Sequence, residues 1–535
     1  MSGCDVIVCG GGPVGVGLAI DLGQRGLSCL VIERHTRLQN IPKGQNMTQR
    51  TGEHFRRWGV SRQIRAASPI PDSFGNSGAV VYGTLLGEYA HDWLNRSNVR
   101  AFYGADNERL PQYDTERVLR ERAAQVPGVD IRLGWTVTGL TQAADRVEVE
   151  IRQTASDATE RLSAPWVVGC DGAGSQVRGF AGITQTEDDR GKRMALIVFR
   201  SPEFDRLLGP ERGAKAFLNV MNPALEGYWQ FFGRVDAEGT WFFHAPVPDS
   251  AGEDQAAFDA LLERVVGQPF AKEFHYIGFW NLRFALADRY RAGRVFIAGD
   301  AAHVHPPYGG FGINTGFEDA RNLAWKLAAE VQGWGSGALL DSYGAERHSV
   351  FADTRDHFIA RMIEDDRAFT AAHDPARDRA EFEAAWNARA AGGDPEVSRF
   401  LPNYAGSPVV WGGEGRSGAV GEHRHRARAG HHLSPVALAD GESVFDRLSD
   451  GFTLISLGGN PAAVADFTAA AAAQGVPLTI IETPLCDSTA RWQARLILIR
   501  PDHFVAFAGD TPIAPAAAIL ARATGRAPDT APETP

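Results

Sequence analysis

Apolar residues in this chain fall into two patterns, short unbroken runs and helical stripes, and the changeovers between them sit on glycine. Val6-Ile7-Val8 is a run of the kind a strand buried on both faces needs. It stops at Gly10, residues 14 to 24 have helix character, and Gly26 is placed to cap that helix. Leu30-Val31-Ile32 is the next run and ends at Glu33. The succession predicts a parallel β-α-β unit. Trp166-Val167-Val168 and Val295-Phe296-Ile297 are two further runs, ending near Asp171 and at Asp300. After the last come Pro306, Pro307 and glycines 309, 310, 312 and 316. A helix then follows whose core face is Phe317, Ala320, Ala324, Leu327 and Val331.

The middle of the chain changes period. "GYWQFFGRVDAEGTWFFHAPV", residues 227 to 247, predicts a hairpin of two aromatic strands around Asp236 to Gly239. Tyr228, Trp229, Phe231, Trp241 and Phe243 are candidates for an aromatic pocket, with sheet core as the plainer role of any one of them. Residues 72 to 104, also aromatic, predict strands of the same unit. Residues 342 to 395 read as helical and charged, and 406 to 435 as a glycine-rich, basic, solvated connector. From 440 onward the order strand, helix, strand, hairpin, helix describes a compact β/α unit. The last residues, "APDTAPETP", are expected to be disordered. The resulting plan divides the chain at 1–185, 186–285, 286–395, a linker 396–435, a C-terminal domain 436–525 and a tail 526–535.

Length and composition narrow the class. A chain of 535 residues with 44% hydrophobic and 22% charged residues builds a large folded core. A net charge of -11 argues against nucleic acid or an anionic membrane as partner. No segment has the length of a spanning helix, and the first residues lack the pattern of a signal peptide. The five cysteines, at 4, 9, 29, 170 and 486, form no CxxC pair, which suits a reducing cytoplasm. His303 and His305 share a loop without a third ligand, and His423, His425, His431 and His432 lack acids or thiols at metal-site spacing, so no metal is expected.

Gly10, Gly12 and Gly15 form G-x-G-x-x-G between strand and helix. The first glycine permits the tight turn, the second lets backbone approach a pyrophosphate, and the third lets helix pack on strand. The helix start supplies unpaired N–H groups to the phosphates, and Glu33 is placed to accept from a ribose. Asp300, at a strand's carboxyl end, is placed to hold a sugar-like hydroxyl. The bare backbone at 309–312 can lie flat on a ring system, and the helix beginning near Asn314 points its N-terminus at that ring.

These residues resemble the single-component flavin-dependent aromatic hydroxylases, the family of 4-hydroxybenzoate hydroxylase and phenol hydroxylase. The likeness rests on the glycine motif at 10–15, on "CDGAGS" at 170–175 and on "GDAAHVHPPYGGFGINTG" at 299–316. "LPQYDTERVLRERA" (110–123) and "TQRTGEHFRRWG" (48–59) are similar to family segments near the cofactor. The resemblance implies an α/β fold: a Rossmann-type FAD-binding domain, an inserted β-sheet substrate domain and a C-terminal thioredoxin-like domain. With Cys486 alone that last domain cannot run dithiol chemistry, so its role is structural or a homodimer contact. The resemblance assigns cofactor contacts to Gly10, Gly12, Pro13, Val14, Gly15, Glu33, Arg34, Arg50, Gln112, Asp171, Asp300, Gly312, Ile313 and Asn314. Pro306 and Pro307 would line the flavin face where oxygen adds, and His305 and Tyr308 are candidate bases. The implied reaction uses NAD(P)H to reduce FAD, then O2 to form a C4a-hydroperoxide that hydroxylates a phenolic or other electron-rich aromatic ring. Baeyer–Villiger oxygenation of a polycyclic ketone and a non-catalytic flavin-binding role are the alternatives. Lys43-Gly44-Gln45 departs from the arginine-rich stretch of the smaller benzoate hydroxylases.

Overall fold

The structure is a computed structural model that describes residues 3–71, 74 and 77–526, without the side chains of 189–191. The disorder expected of the final residues falls almost wholly outside that range. Four of the apolar runs and the mixed strand Val129–Leu133 assemble into one parallel sheet in the order Val295–Ile297, Trp166–Gly169, Val6–Cys9, Cys29–Glu33, Val129–Leu133. Arg291–Ala292 adds an antiparallel edge. Both faces of the four apolar runs are covered, so no polar alternation survives in them, whereas the edge strand Val129–Leu133 keeps Asp130 exposed. The helices Pro13–Gln24 and Gly312–Val331 pack together on one face. A three-stranded meander, Trp135–Gln142, Val147–Gln153 and Thr159–Ala164, covers the other. The carboxyl ends of three adjacent strands therefore bring residues 10, 171 and 300 to one edge, where ligands of such sheets bind.

A second, eight-stranded sheet stands over that edge. Its order is His303–Val304, Glu273–Ala287, Gln185–Arg200, Thr240–Val247, Gln230–Arg234, Phe217–Met221, Gly78–Tyr82, Ala90–Trp93. The strands from residues 78–93 thus join those of 185–287. Strand alternation splits its aromatic residues. Phe232, Trp241 and Phe243 face the helices Pro202–Gly213 and Gln255–Val266 and form core. Phe217, Phe231, Phe242 and His244 face the other way, toward the parallel sheet's edge.

The C-terminal unit is a four-stranded sheet, Leu478–Thr483, Phe452–Leu457, Leu496–Ile499, Val505–Gly509, flanked by helices Pro461–Gln474 and Ala516–Ala523. Its first two neighbours are parallel and the rest antiparallel, the thioredoxin-like arrangement. It is bound to the long helix by buried charge. Glu346 accepts from Lys326 at 2.7 Å and from Arg500 at 2.6 Å, and Arg500 also pairs with Asp502 at 2.6 Å, all four side chains fully buried.

The reading of 406–435 as a solvated connector is overturned. Val409, Val410, Ala419 and Leu433 are buried, and just ahead of the segment Tyr404 stacks on Phe504 at 4.1 Å. His432 bonds Glu53 at 2.8 Å. Glycines there carry the chain over packed surface rather than through water.

Candidate active site

A cavity of about 700 Å³ runs from the glycine loops of the parallel sheet to the inner face of the eight-stranded sheet. Gly10 has φ +113°, a conformation few side chains adopt, and a Cβ there would lie 2.2 Å from the Cys170 carbonyl oxygen. At Gly15 a Cβ would lie 2.0 Å from the Gly10 carbonyl oxygen, so this glycine lets the helix sit on the turn. A Cβ at Gly12 would meet nothing within 4 Å. It would project into the cavity, whose wall here is bare backbone at a helix start. Pro13 occupies the first helical position, where a missing N–H costs nothing.

Glu33 is fixed by backbone: its two carboxylate oxygens accept from the N–H of Gly11 and of His35, each at 2.7 Å. Asp171 caps its own short helix, accepting from Ser175 Oγ at 2.5 Å and the N–H groups of Gln176 and Val177. Arg178 ties this loop to the next by donating to the Ala301 carbonyl at 2.8 Å. Asp300 opens onto the cavity without a hydrogen bond to the described residues. Desolvation in the recess raises its pKa above the usual carboxylate range. Its loop is pinned from behind. Asp319, fully buried, accepts from Gly299 N–H at 2.9 Å, pairs with His303 at 2.6 Å and takes Arg347 at 2.7 Å.

Gly10, Gly12, Pro13, Val14, Glu33, Arg34, Gln112, Asp171, Asp300, His305, Pro307, Tyr308, Gly312 and Ile313 all line the cavity. Four of the expected residues do not. Gly15 acts in packing. Pro306 is buried, and its carbonyl accepts from His305 Nδ1 at 2.6 Å. Asn314 turns its amide away, bridging Asn46 and Gly310 carbonyls to Thr48 and Thr51. Arg50 stands outside the cavity lining, its side chain engaged elsewhere. It pairs with Glu318 at 2.8 Å and Glu53 at 2.7 Å and donates to the Asp502 carbonyl at 2.6 Å, so it joins the C-terminal domain to the long helix.

The two candidate bases separate. Tyr308 accepts the Trp229 N–H at 3.3 Å, and burial pushes its phenol well above the usual tyrosine range, which favours its protonated form. His305 gives its Nδ1 proton to the Pro306 carbonyl, which can only accept; Nε2 is left as a buried lone pair without a partner. Burial lowers its pKa to about 4.

Several lining residues were not singled out by the sequence. Both amide atoms of Gln45 are buried without a partner on the cavity wall. Trp93, Phe217, Phe242 and His244 complete the sheet side. The alternation in "TWFFHA" was the available signal for Phe242 and His244, since every second residue shares a face. Among the described residues no group of three or more His, Cys, Asp or Glu is placed to hold a metal, and no helix is long and apolar enough to cross a membrane.

A dinucleotide carrying a flat ring fits this wall. The Gly12 backbone leaves space a phosphate would fill, and the Gln45 amide and His305 Nε2 are buried polar atoms that lack partners until a ring edge supplies them.

Comparison with known proteins agrees. Residues 3–357 match the family model described as FAD binding domain, and residues 426–528 the one described as aromatic-ring hydroxylase, C-terminal. The chain is 33% identical to 4-methyl-5-nitrocatechol 5-monooxygenase of a Burkholderia species, over 67% of this chain and 66% of that relative, just under two thirds of its length. It is 30% identical to tetracenomycin B2 monooxygenase-dioxygenase of Streptomyces olivaceus over 95% of each. The rebeccamycin biosynthetic enzyme RebC with reduced flavin superimposes with TM-score 0.82 at 29% identity, covering 98% of this chain and 99% of RebC. The complex of aklavinone-11 hydroxylase with FAD and aklavinone gives 0.80 at 25% identity, covering 97% and 99%. The chain belongs to the FAD-dependent aromatic-ring hydroxylase family, with its FAD-binding domain joined to an aromatic-ring hydroxylase C-terminal domain.

Proposed function

We propose that this chain hydroxylates a polycyclic, oxygen-bearing aromatic substrate, using FAD, NAD(P)H and O2. The observation that carries the reading is the continuity of one cavity from the glycine loops to the aromatic face of the eight-stranded sheet. The backbone at Gly12 and the start of the first helix hold the pyrophosphate, Glu33 the ribose and Asp300 the ribityl chain. Gln45, Pro307, Gly312 and Ile313 border the ring. Bound FAD, once reduced by NAD(P)H, supplies the activation of O2 from which one oxygen atom passes to the substrate.

The protein's own part is placement and exclusion of water. Phe217, Phe231 and Phe242 offer flat apolar contact to a fused ring, while Trp93 and Trp229 close the cavity edge-to-face at 5.0 Å. Both indoles are held by buried carboxylates, Trp93 by Glu396 and Trp229 by Asp366. Such an enclosure keeps solvent from discharging the activated oxygen. The relatives named for nitrocatechol, tetracenomycin B2 and aklavinone support an aromatic substrate. The five free cysteines suit a reducing cytoplasm.

The test is a panel of hydroxylated anthraquinones and naphthacenes, scored for accelerated NAD(P)H consumption, peroxide release and product mass. Coupled consumption with a product one oxygen atom heavier on an aromatic carbon supports the reading. A lactone product, or no stimulation by any ring system, overturns it.

A further inference from the structure

On that reading, we infer that His244 receives the oxygen function of the substrate, and that it does so only as a hydrogen-bond donor. His244 lies on Thr240–Val247 and turns into the cavity, with 7% of its surface exposed. Three aromatic rings surround it: Phe242 at 5.4 Å, Trp280 at 5.7 Å and Phe231 at 6.4 Å.

The tautomer follows from one bond. Trp280 Nε1 approaches His244 Nδ1 at 3.3 Å. An indole N–H can only donate, so Nδ1 must offer its lone pair. In the neutral ring the proton then sits on Nε2. Burial keeps the ring neutral, lowering its pKa to about 4. No described residue bonds Nε2, which faces the cavity.

Several other polar side chains of the sheet-side wall are already engaged. The indole donors of Trp93 and Trp229 are committed to Glu396 and Asp366 behind the wall. The Tyr308 hydroxyl accepts from the Trp229 backbone and keeps its own proton, so it is a second donor on this wall, on the loop before the long helix rather than on the sheet. Arg120 donates to the Gly11 carbonyl at 2.9 Å and Glu116 accepts from Gln112 at 2.8 Å, so both stand at the glycine-loop end of the cavity. His305 presents a lone pair rather than a proton, beside Gly312.

Selection of the substrate's form follows. A donor whose only lone pair is occupied accepts no proton from a phenol. His244 therefore favours a ring carbonyl or a phenolate over a neutral phenol, and a phenol's proton leaves to solvent before the anion docks. Nε2 keeps its hydrogen throughout.

The test uses 1,2-dihydroxyanthraquinone, whose phenol and phenolate differ in visible absorbance, with the FAD-loaded protein and no NAD(P)H. The inference predicts that the bound probe ionises at lower pH than the free one. His244→Phe should weaken phenolate binding by about ten- to a hundredfold and return the ionisation to its free value. His244→Gln, which restores a donor, should recover part of both. Trp280→Phe frees Nδ1 and with it the opposite tautomer, so it should abolish the ionisation shift while neutral probe still binds. An unchanged shift in either His244→Phe or Trp280→Phe overturns the inference and leaves the aromatic site intact. Failure of the unaltered protein to bind the probe removes the proposed substrate class, and the inference with it.

Discussion

Gly12 and Gly15 stand three residues apart in one motif, yet the structure gives their substitution opposite consequences. Gly12→Val places a side chain where a Cβ meets nothing within 4 Å, at φ -72°, which any residue adopts. The apoprotein should lose no more than about 1 kcal/mol, the worth of a favourable N-cap residue. The same side chain would stand where the pyrophosphate docks. Displacing one or two charge-assisted bonds from backbone N–H, each worth about 1.5–3 kcal/mol, costs about 2–5 kcal/mol of binding. That is an affinity for FAD about 30- to 5,000-fold weaker. Gly15→Ala instead drives a methyl to 2.0 Å from the Gly10 carbonyl oxygen, so backbone must move. Its cost, about 1–3 kcal/mol, falls on the apoprotein itself. Thermal unfolding of both apoproteins, with FAD titration followed by flavin fluorescence, separates the two. A Gly12→Val protein that binds FAD within threefold of the unaltered chain would refute the placement of the phosphates.

Other outcomes follow from the same geometry. Asp300→Ala should not lower apoprotein stability at neutral pH, because its desolvated carboxylate has no hydrogen bond to the described residues, yet purify with little flavin. Asp319→Asn should destabilise by about 3–5 kcal/mol in chemical denaturation, since Arg347 and His303 lose the buried charge they share. Glu396, desolvated behind Trp93, has its pKa raised to about 7 from an ordinary value of 4.5; its burial therefore costs stability progressively as pH rises from 4.5 to 7. Glu396→Gln should raise the unfolding midpoint more at pH 8 than at pH 5. His244 titrates the other way: folded near 4 and unfolded near 6.5, it takes up protons on unfolding between those values. Stability should fall by about 1.4 kcal/mol per unit as pH drops from 6.5 toward 4 on its account, and His244→Phe should remove that share of the slope.

The parallel sheet and its glycine loops were legible because their physics is local. A strand sealed on both faces must be an unbroken apolar run, and a turn at positive φ under a close-packed helix must be glycine. What the sequence hid depends on distant partners. Arg50 sits beside a cofactor-like segment, but Glu318 and Asp502 lie 268 and 452 positions away along the chain. Residues 406–435 have the composition of a linker, and only the packed fold shows His432 meeting Glu53. In the aromatic hairpin the composition pointed to a pocket without saying which face. Register decides that Trp241 and Phe243 are core whereas Phe242 and His244 face the cavity. The role of His244 was further concealed because its tautomer is set by Trp280, on another strand.

The most direct measurement is an experimental structure of the FAD-loaded protein with a hydroxyanthraquinone bound. The account predicts the isoalloxazine ring beside Gln45 and the 307–313 loop, with the anthraquinone against Phe231 and Phe242 and one of its oxygens at His244 Nε2. An aromatic ligand seated away from the eight-stranded sheet, or a flavin away from the glycine loops, would contradict it.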